Sequence, residues 1–475
     1  MLELLGRFFD VRRMVRPEKI TGELESSREI YRSLARIAIP SVIEMVFMSL
    51  IGAIDTVMVG DLGFAAIAAV GLAGQPRMLT LTLFFALNTG LTAVVARRKG
   101  QGRQGDANLA LRNALMLVLV LTVAVMLFSL SLSDQLLRLA GAQEDTIGMA
   151  GEYFRTLVFF LPVNALTMCI NAAQRGVGNT RTTLYVNVAA NVVNVLFNYL
   201  LIYGHWGFPR LGVTGNALAT GLGICVGFVL CLLSLFNKKL GDNFLQMSFR
   251  DSWKPHRETL LSIIKIGGNA MVEQGAVRIG FFTYAAIVAS LGTASLAAHT
   301  VGMQFLNISF TFGDGLAVAG TSLVGQMLGK ERPDIATIYG KCCQRVALCV
   351  SLIMAASIIA FRYPLVGIFL DPVPESIEPY NLAANLMLMV SLFQPLQMST
   401  VVFSGCLRGA GDNLHVALVM IICVVFVRPL ISLFAIHVLG FQLFGAWSAS
   451  VIDMSIRLTL MYKRFQSGIW QTKKV

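Results

Sequence analysis

The chain has 475 residues, 56% of them hydrophobic and 13% charged, and a mean hydropathy of +0.70. Soluble domains carry charge on about a quarter of their residues, so a soluble cytoplasmic enzyme is excluded and most of this chain belongs in a bilayer. The formal charge of +12 would suggest a nucleic-acid partner in a soluble protein, but in a membrane protein the location of the positive residues matters more than their sum.

A span needs about 20 apolar residues, so this length accommodates about twelve with short connections. Residues 1–35 are polar and carry Arg7, Arg12, Arg13, Arg16, Lys19, Arg28 and Arg32 without the order of a secretory signal, which reads as a retained basic arm. Apolar stretches then follow at 36–58, 66–96, 110–132, 153–174, 183–204, 214–236, 262–290, 294–326, 343–361, 381–407, 414–438 and 444–462. Basic residues recur in every second connection: Arg97, Arg98, Lys99 and Arg103; Arg175 and Arg181; Lys238, Lys239, Arg250, Lys254 and Arg257; Lys330, Arg332 and Lys341; Arg408; then Lys463, Arg464, Lys473 and Lys474. The alternate connections hold Asp61; Asp134, Glu144 and Asp145; Arg210; and Asp371, Glu375 and Glu378. This bias puts both termini on the cytoplasmic side of the inner membrane.

Six of the eight cysteines fall inside apolar spans, Cys342 and Cys343 are adjacent, and there is no C-x-x-C, so packing is expected of them rather than redox chemistry. His205, His256, His299, His415 and His437 lack metal-ligand spacing. No cofactor or metal is expected.

The chain repeats itself. Asp61-Leu-Gly-Phe-Ala-Ala-Ile-Ala-Ala69 returns as Ser290-Leu-Gly-Thr-Ala-Ser-Leu-Ala-Ala298, and at the same offset Glu44 meets Glu273, Gln75 meets Gln304, Thr92 meets Thr321 and Gly100 meets Gly329. Pro162 with Arg175-Gly-Val-Gly178 returns as Pro395 with Arg408-Gly-Ala-Gly411. Two homologous halves of six spans each follow, related by a pseudo-two-fold axis along the membrane normal with a shared cavity. The expected organisation is a basic cytoplasmic arm at 1–35, a first lobe at 36–240, a linker at 241–260, a second lobe at 261–465 and a tail at 466–475. The fold class is an all-α polytopic membrane protein of twelve transmembrane helices in two six-helix bundles. Arg-Gly-x-Gly reads as an inside turn with Arg reaching lipid phosphates. Gly313, Gly315, Ala317, Ala319 and Gly320 suit close helix crossing.

An ionisable group within a span needs a reason. Glu44 and Asp55 in the first span are eleven residues apart, three helical turns or roughly 16 Å, and share a face. Glu273 and Arg278 lie in span seven, Asp314 in span eight, Arg428 in span eleven and Arg77 in the outer part of span two. In span five Asn187, Asn191, Asn194 and Asn198 form one helical stripe. They serve either as interhelical hydrogen-bond glue or as the lining of a wet cavity or proton site. At the repeat offsets Asp55 is replaced by Tyr284 and the stripe by Met420, Val424, Val427 and Ile431, so the second half is expected to lack this polar cluster. Asp55 with the amides is then the candidate for ion coupling. Glu44 and Glu273, present in both halves, are candidates for the central cavity or its gates.

At these residues the sequence resembles the multidrug and toxic compound extrusion (MATE) family, NorM/DinF-like, from about residue 30 to 465. The matching pieces are Pro40 with Asp55-Thr-Val-Met-Val-Gly60, Gln174-Arg-Gly-Val-Gly-Asn179, Asn194-Val-Leu-Phe-Asn198 before Leu201-Ile-Tyr-Gly204, Gly212-Val-Thr-Gly-Asn-Ala-Leu-Ala-Thr220, and Ala297-Ala-His299 before Thr321-Ser-Leu-Val-Gly-Gln326. The resemblance implies a V-shaped cavity between two six-helix bundles and antiport of organic cations or drugs against H⁺ or Na⁺, by a monomer in lipid and without nucleic acid. It implies Asp55 as the ion-coupling aspartate, with Asn194, Asn198 and Thr220 completing its pocket. Asn198 stands where some members have an aspartate, which favours H⁺ over Na⁺ here. Glu273 is about one turn from the NorM-like glutamate, and span ten has no acid, so a second-half Na⁺ site is not expected. No Walker A sequence occurs, so an ion gradient and not ATP supplies the energy. The competing reading is a lipid-linked oligosaccharide flippase of the same superfamily, with Arg278 and Arg428 for pyrophosphate. The 21 Met and 30 Phe are compatible with flat hydrophobic cations.

Overall fold

The structure, a computed structural model, describes residues 7–144, 146–236, 244–248, 251–370, 373–374 and 377–473. Asp145, Lys238, Lys239, Arg250, Asp371, Glu375 and Lys474, assigned above to connections, lie outside the described residues. Among those described all regular structure is helical. The long segments follow the expected order: α1 Ser27–Gly60, α2 Phe64–Gly100, α3 Gln104–Ser131, α4a Ile147–Phe159 with α4b Leu161–Gly176, α5 Thr180–Tyr203, α6 Gly212–Phe236, α7 Arg257–Ala289, α8 Thr293–Gly329, α9 Pro333–Gly367, α10 Ile377–Gly409, α11 Asn413–His437 and α12 Gln442–Ser467. Among the described residues nine of these are long and apolar enough to cross a membrane, and the bent α4 pair makes a tenth. The remaining two, α7 and α12, are 33 and 26 residues long and carry internal charges.

Proline acts differently at its two repeated positions. Pro162, which lacks an N–H and crowds the carbonyl four residues back, sits at a 51° break between α4a and α4b. Its counterpart Pro395 lies within an unbroken α10. Pro40 likewise lies inside an unbroken α1.

The repeated Leu-Gly turn has the same backbone in both halves: Gly63 has φ 101° and ψ 171°, Gly292 φ 100° and ψ 169°. A residue with a Cβ rarely adopts this conformation. Each half also builds the same clasp between its second and fourth spans. Thr92 Oγ1 donates to carbonyls of its own helix and of Ala172, at 2.8 and 3.0 Å. Thr321 Oγ1 has the carbonyls of Ala317 and Gly405 at 2.9 and 2.8 Å. The helices come this close because Gly176 and Gly409 carry no side chain: a Cβ on Gly176 would lie 2.9 Å from the Thr92 carbonyl oxygen, and one on Gly409 would overlap that of Thr321. Gly409→Ala is therefore expected to force α8 and α10 apart. It should destabilise the protein by about 1–3 kcal/mol, more than Gly176→Ala, in thermal unfolding of the purified protein.

By compactness the chain forms one unit from residues 1–42 and 272–475 and another from 43–271. The repeat pattern sets 36–240 against 261–465, whereas the compact units divide within α1 and α7. In the first unit α8 packs on the opening turns of α1, where a Cβ on Gly315 would stand 2.8 Å from the Val42 Cα. In the second, α7 up to residue 271 packs on α2, with a Cβ on Gly90 2.5 Å from the Ile263 carbonyl oxygen. The small residues of α8 serve these crossings. The basic arm is docked within the first unit: Val11 and Met14 are buried in the core formed with α8, α9 and α10, Thr21 binds the Asp334 carboxylate, and Lys341 donates to the Met14 carbonyl at 2.6 Å.

Candidate functional site

Three of the four stripe asparagines of α5, Asn187, Asn194 and Asn198, meet α1. Asp55 Oδ1 accepts from Asn198 Nδ2 at 2.6 Å. In the amide orientation that satisfies both its neighbours, Asn194 donates to the same Oδ1 at 2.9 Å and accepts from Thr220 Oγ1 at 3.1 Å. Asn198 Oδ1 in turn accepts from Asn216 Nδ2 of α6 at 3.0 Å. Asn194, Asn198 and Asn216 are buried, whereas Asp55 is half-buried and its Oδ2 has no hydrogen bond among the described residues. Arg77 of α2 is the cation acting on Asp55, and it lies beside the buried Tyr153 of α4a. Asp55, Asn194, Asn198 and Thr220 are thus brought together as the sequence indicates. Asn216 was overlooked. Its signal was its place four residues before Thr220, one turn along the same face.

Eleven residues earlier on both helices a second pair forms. Glu44 accepts from Asn187 Nδ2 at 2.7 Å and from Thr183 Oγ1 at 2.7 Å, and pairs with Arg175 at 3.1 Å. The pairs 44–187 and 55–198 have one common sequence separation, so α1 and α5 run parallel and in register. Asn191 turns back to its own helix and donates to the Asn187 carbonyl at 2.8 Å.

Glu44 is 1% exposed, a carboxylate enclosed by donors. In the second half Glu273 is ion-paired with Arg408, so the repeated glutamates each hold the arginine of the repeated Arg-Gly-x-Gly. Those arginines were expected to reach lipid phosphates; they reach buried carboxylates, because a carboxylate buried without a cation is strongly unfavourable. Asp314 is exposed and is the other carboxylate acting on Arg408. Arg278 is exposed and makes no ion pair among the described residues.

The second half has no acid or asparagine at the repeat positions of the Asp55 cluster, but it holds a charged cluster built from other residues. Tyr284, the counterpart of Asp55, sits beside Arg428, whose guanidinium carbon is 5.4 Å from the ring centroid. Arg428 is paired with Asp453 of α12 at 2.7 Å, and Arg457 binds the same carboxylate at 2.7 Å. The charges of this cluster come from α12 and from Arg428 of α11, which stands at none of the repeat positions of the α5 stripe, so comparison of the halves position by position passed over them. Asp453 and Arg457 were readable as an i, i+4 pair inside an apolar span.

Many apolar helices in two repeated sets, with Glu44, Asp55, Glu273, Arg428 and Asp453 paired or hydrogen-bonded inside them, define a multi-pass membrane protein of duplicated design. The MatE family model matches residues 40–200 and 270–433, and the chain belongs to that family of transporters; it is not an enzyme. It is 27% identical over 454 residues to the "Uncharacterized transporter YisQ" of Bacillus subtilis, covering 93% of this chain and 95% of that one. It is also 27% identical over 454 residues to the "Probable multidrug resistance protein NorM" of Thermotoga maritima, covering 95% of each. The fold is shared with a solved MOP superfamily transporter from Pyrococcus furiosus, with a TM-score of 0.86 at 22% identity over 94% of this chain and 97% of that one.

Proposed function

We propose that the protein is a secondary antiporter that exports organic cations, drugs among them, across the cytoplasmic membrane in exchange for H⁺, with Asp55 as the coupling residue. The observation that carries this reading is a half-buried carboxylate with two side-chain amides on one oxygen and the other oxygen free. An ionised carboxylate accepts from both N–H groups. A protonated one is served by the same side chains, because an amide offers an oxygen acceptor as well as a donor. The pocket therefore suits both protonation states, while Asn198 and Asn194 turn their N–H groups, and not their oxygens, toward Asp55, which gives a Na⁺ there no amide ligand. The name of the Thermotoga relative as a multidrug resistance protein supports the drug substrate.

In the cycle, Asp55 takes a proton from the outside, loses its attraction for the cationic substrate and releases it; reorientation then discharges the proton inside. A resident metal or cofactor has no part in this, the transporter works as a monomer in lipid, and both termini are cytoplasmic. The flippase reading relied on Arg278 and Arg428 to hold a pyrophosphate. Arg428 is paired with Asp453 and lines only a small cavity with no room for a pyrophosphate, which leaves that reading a single arginine. The test is efflux of a fluorescent organic cation from everted vesicles with ΔpH and ΔNa⁺ imposed separately. Transport driven by ΔpH alone is expected, and transport that follows only ΔNa⁺ would overturn the choice of ion.

A further inference from the structure

Within the second half, α11 changes form where its charge enters the membrane. Pro429 cannot donate to the carbonyl four residues back and crowds it, and the segment just before, Ile421–Val427, is widened into a π-helix. Such turns recur at functional sites. Gly280 of α7 lets this segment approach, since a Cβ there would stand 2.6 Å from the Val424 carbonyl oxygen.

Arg428 Nε and Nη2 lie 2.9 and 2.7 Å from Asp453 Oδ2, and Arg457 Nη2 is 2.7 Å from the same oxygen. All three side chains are buried, and Asp453 is the one carboxylate acting on Arg457 among the described residues. Two cations on one carboxylate leave one positive charge in excess, which a low-dielectric interior penalises.

A small cavity adjoins the Arg428 guanidinium, with Phe281, Tyr284, Phe310, Trp447 and Ser450 on its wall; Asp453 and Arg457 are not on it. Tyr284 is 2% and Trp447 1% exposed, yet among the described residues the Trp447 Nε1 has no hydrogen-bond partner and the Tyr284 hydroxyl none at normal hydrogen-bond distance, Ser450 being the one uncharged side chain acting on it. Buried polar groups of this kind are nearly always satisfied, and an indole N–H can only donate. The wall thus presents a guanidinium and two unused donors, with no carboxylate.

We propose that this cavity binds a small monovalent anion of the halide type, chloride in the cell. Such an ion balances the second arginine and accepts from both Tyr284 and Trp447. A water molecule would satisfy the donors and leave the charge, while a phosphate or organic carboxylate is far larger than a halide and than this small cavity. The site lies in the other compact unit from Asp55 and does not depend on the assignment of the coupling residue.

The test is thermal unfolding of the purified protein in NaCl and in sodium gluconate at equal ionic strength, together with anomalous diffraction from crystals soaked in NaBr. The melting temperature is expected to rise with chloride beyond its value in gluconate, and a bromide peak is expected beside the Arg428 guanidinium. Tyr284→Phe with Trp447→Phe keeps the rings and all charges, and should weaken the chloride midpoint about tenfold or more. Identical melting in the two salts, an unchanged midpoint in a folded double variant, or no bromide at Arg428 would each overturn the proposal. If the double variant does not fold, the bromide peak in the wild type decides.

Discussion

Asp55→Asn is expected to insert and fold but, like protonated Asp55, to hold a cationic substrate weakly, and to lose ΔpH-driven export down to the level of protein-free vesicles. Asparagine has the shape of aspartate, and its carbonyl oxygen can take the bonds that Asn198 and Asn194 make to Asp55 Oδ1. What it cannot do is gain or lose a proton. Because Asp55 is half-buried, its hydrogen-bond partners are neutral amides and it makes no close ion pair among the described residues, the change in stability should stay within about 1 kcal/mol. Transport and stability are therefore separable in this variant. Reconstituted vesicles with an imposed ΔpH, alongside a melting curve of the same preparation, provide the check; coupled export by the variant at the wild-type rate would remove Asp55 from the mechanism.

The second large effect concerns stability. Glu44→Ala strands the Arg175 guanidinium and deprives Thr183 and Asn187 of their acceptor at once. Breaking a buried pair by removing one partner typically costs about 3–5 kcal/mol, since the remaining charge is left uncompensated. Glu273→Ala is expected to cost less, because Arg408 retains Asp314 as a second carboxylate acting on it. The two glutamates occupy equivalent places in the repeat, so unequal melting temperatures would report their surroundings and not their position in a helix. Equal losses would mean that Asp314 does not compensate Arg408.

Much of the fold was legible in the sequence because its signals are local. Span length and hydropathy follow from the requirement that the backbone satisfy itself within lipid, and each expected stretch lies in a helix to within a residue, except 153–174, which is broken between α4a and α4b. The repeat was equally visible. Gly63 and Gly292 share one turn geometry, and Thr92 and Thr321 make the same clasp. The stripe of Asn187, Asn194 and Asn198 also declared a polar partner through its period. Its spacing matched that of Glu44 and Asp55, both eleven residues, a coincidence that pointed to the parallel pairing of α1 and α5.

The partners of the buried charges were another matter. Helical period shows which residues share a face of their own helix, but not which other helix that face meets. Arg175 was read as a turn residue until packing set it against Glu44, 131 residues away. Arg428 had no assigned counter-charge until α12 brought Asp453 beside it. The division of α1 and α7 between compact units depends on close contacts at Gly315 and Gly90, which hydropathy does not register. By itself, then, the sequence determined the membrane class, the spans, the duplication and the polar face that holds Asp55. Tertiary structure alone decided which carboxylates are paired with arginine and which is held by amides, because that depends on the distance between helices and not on the order of residues along them.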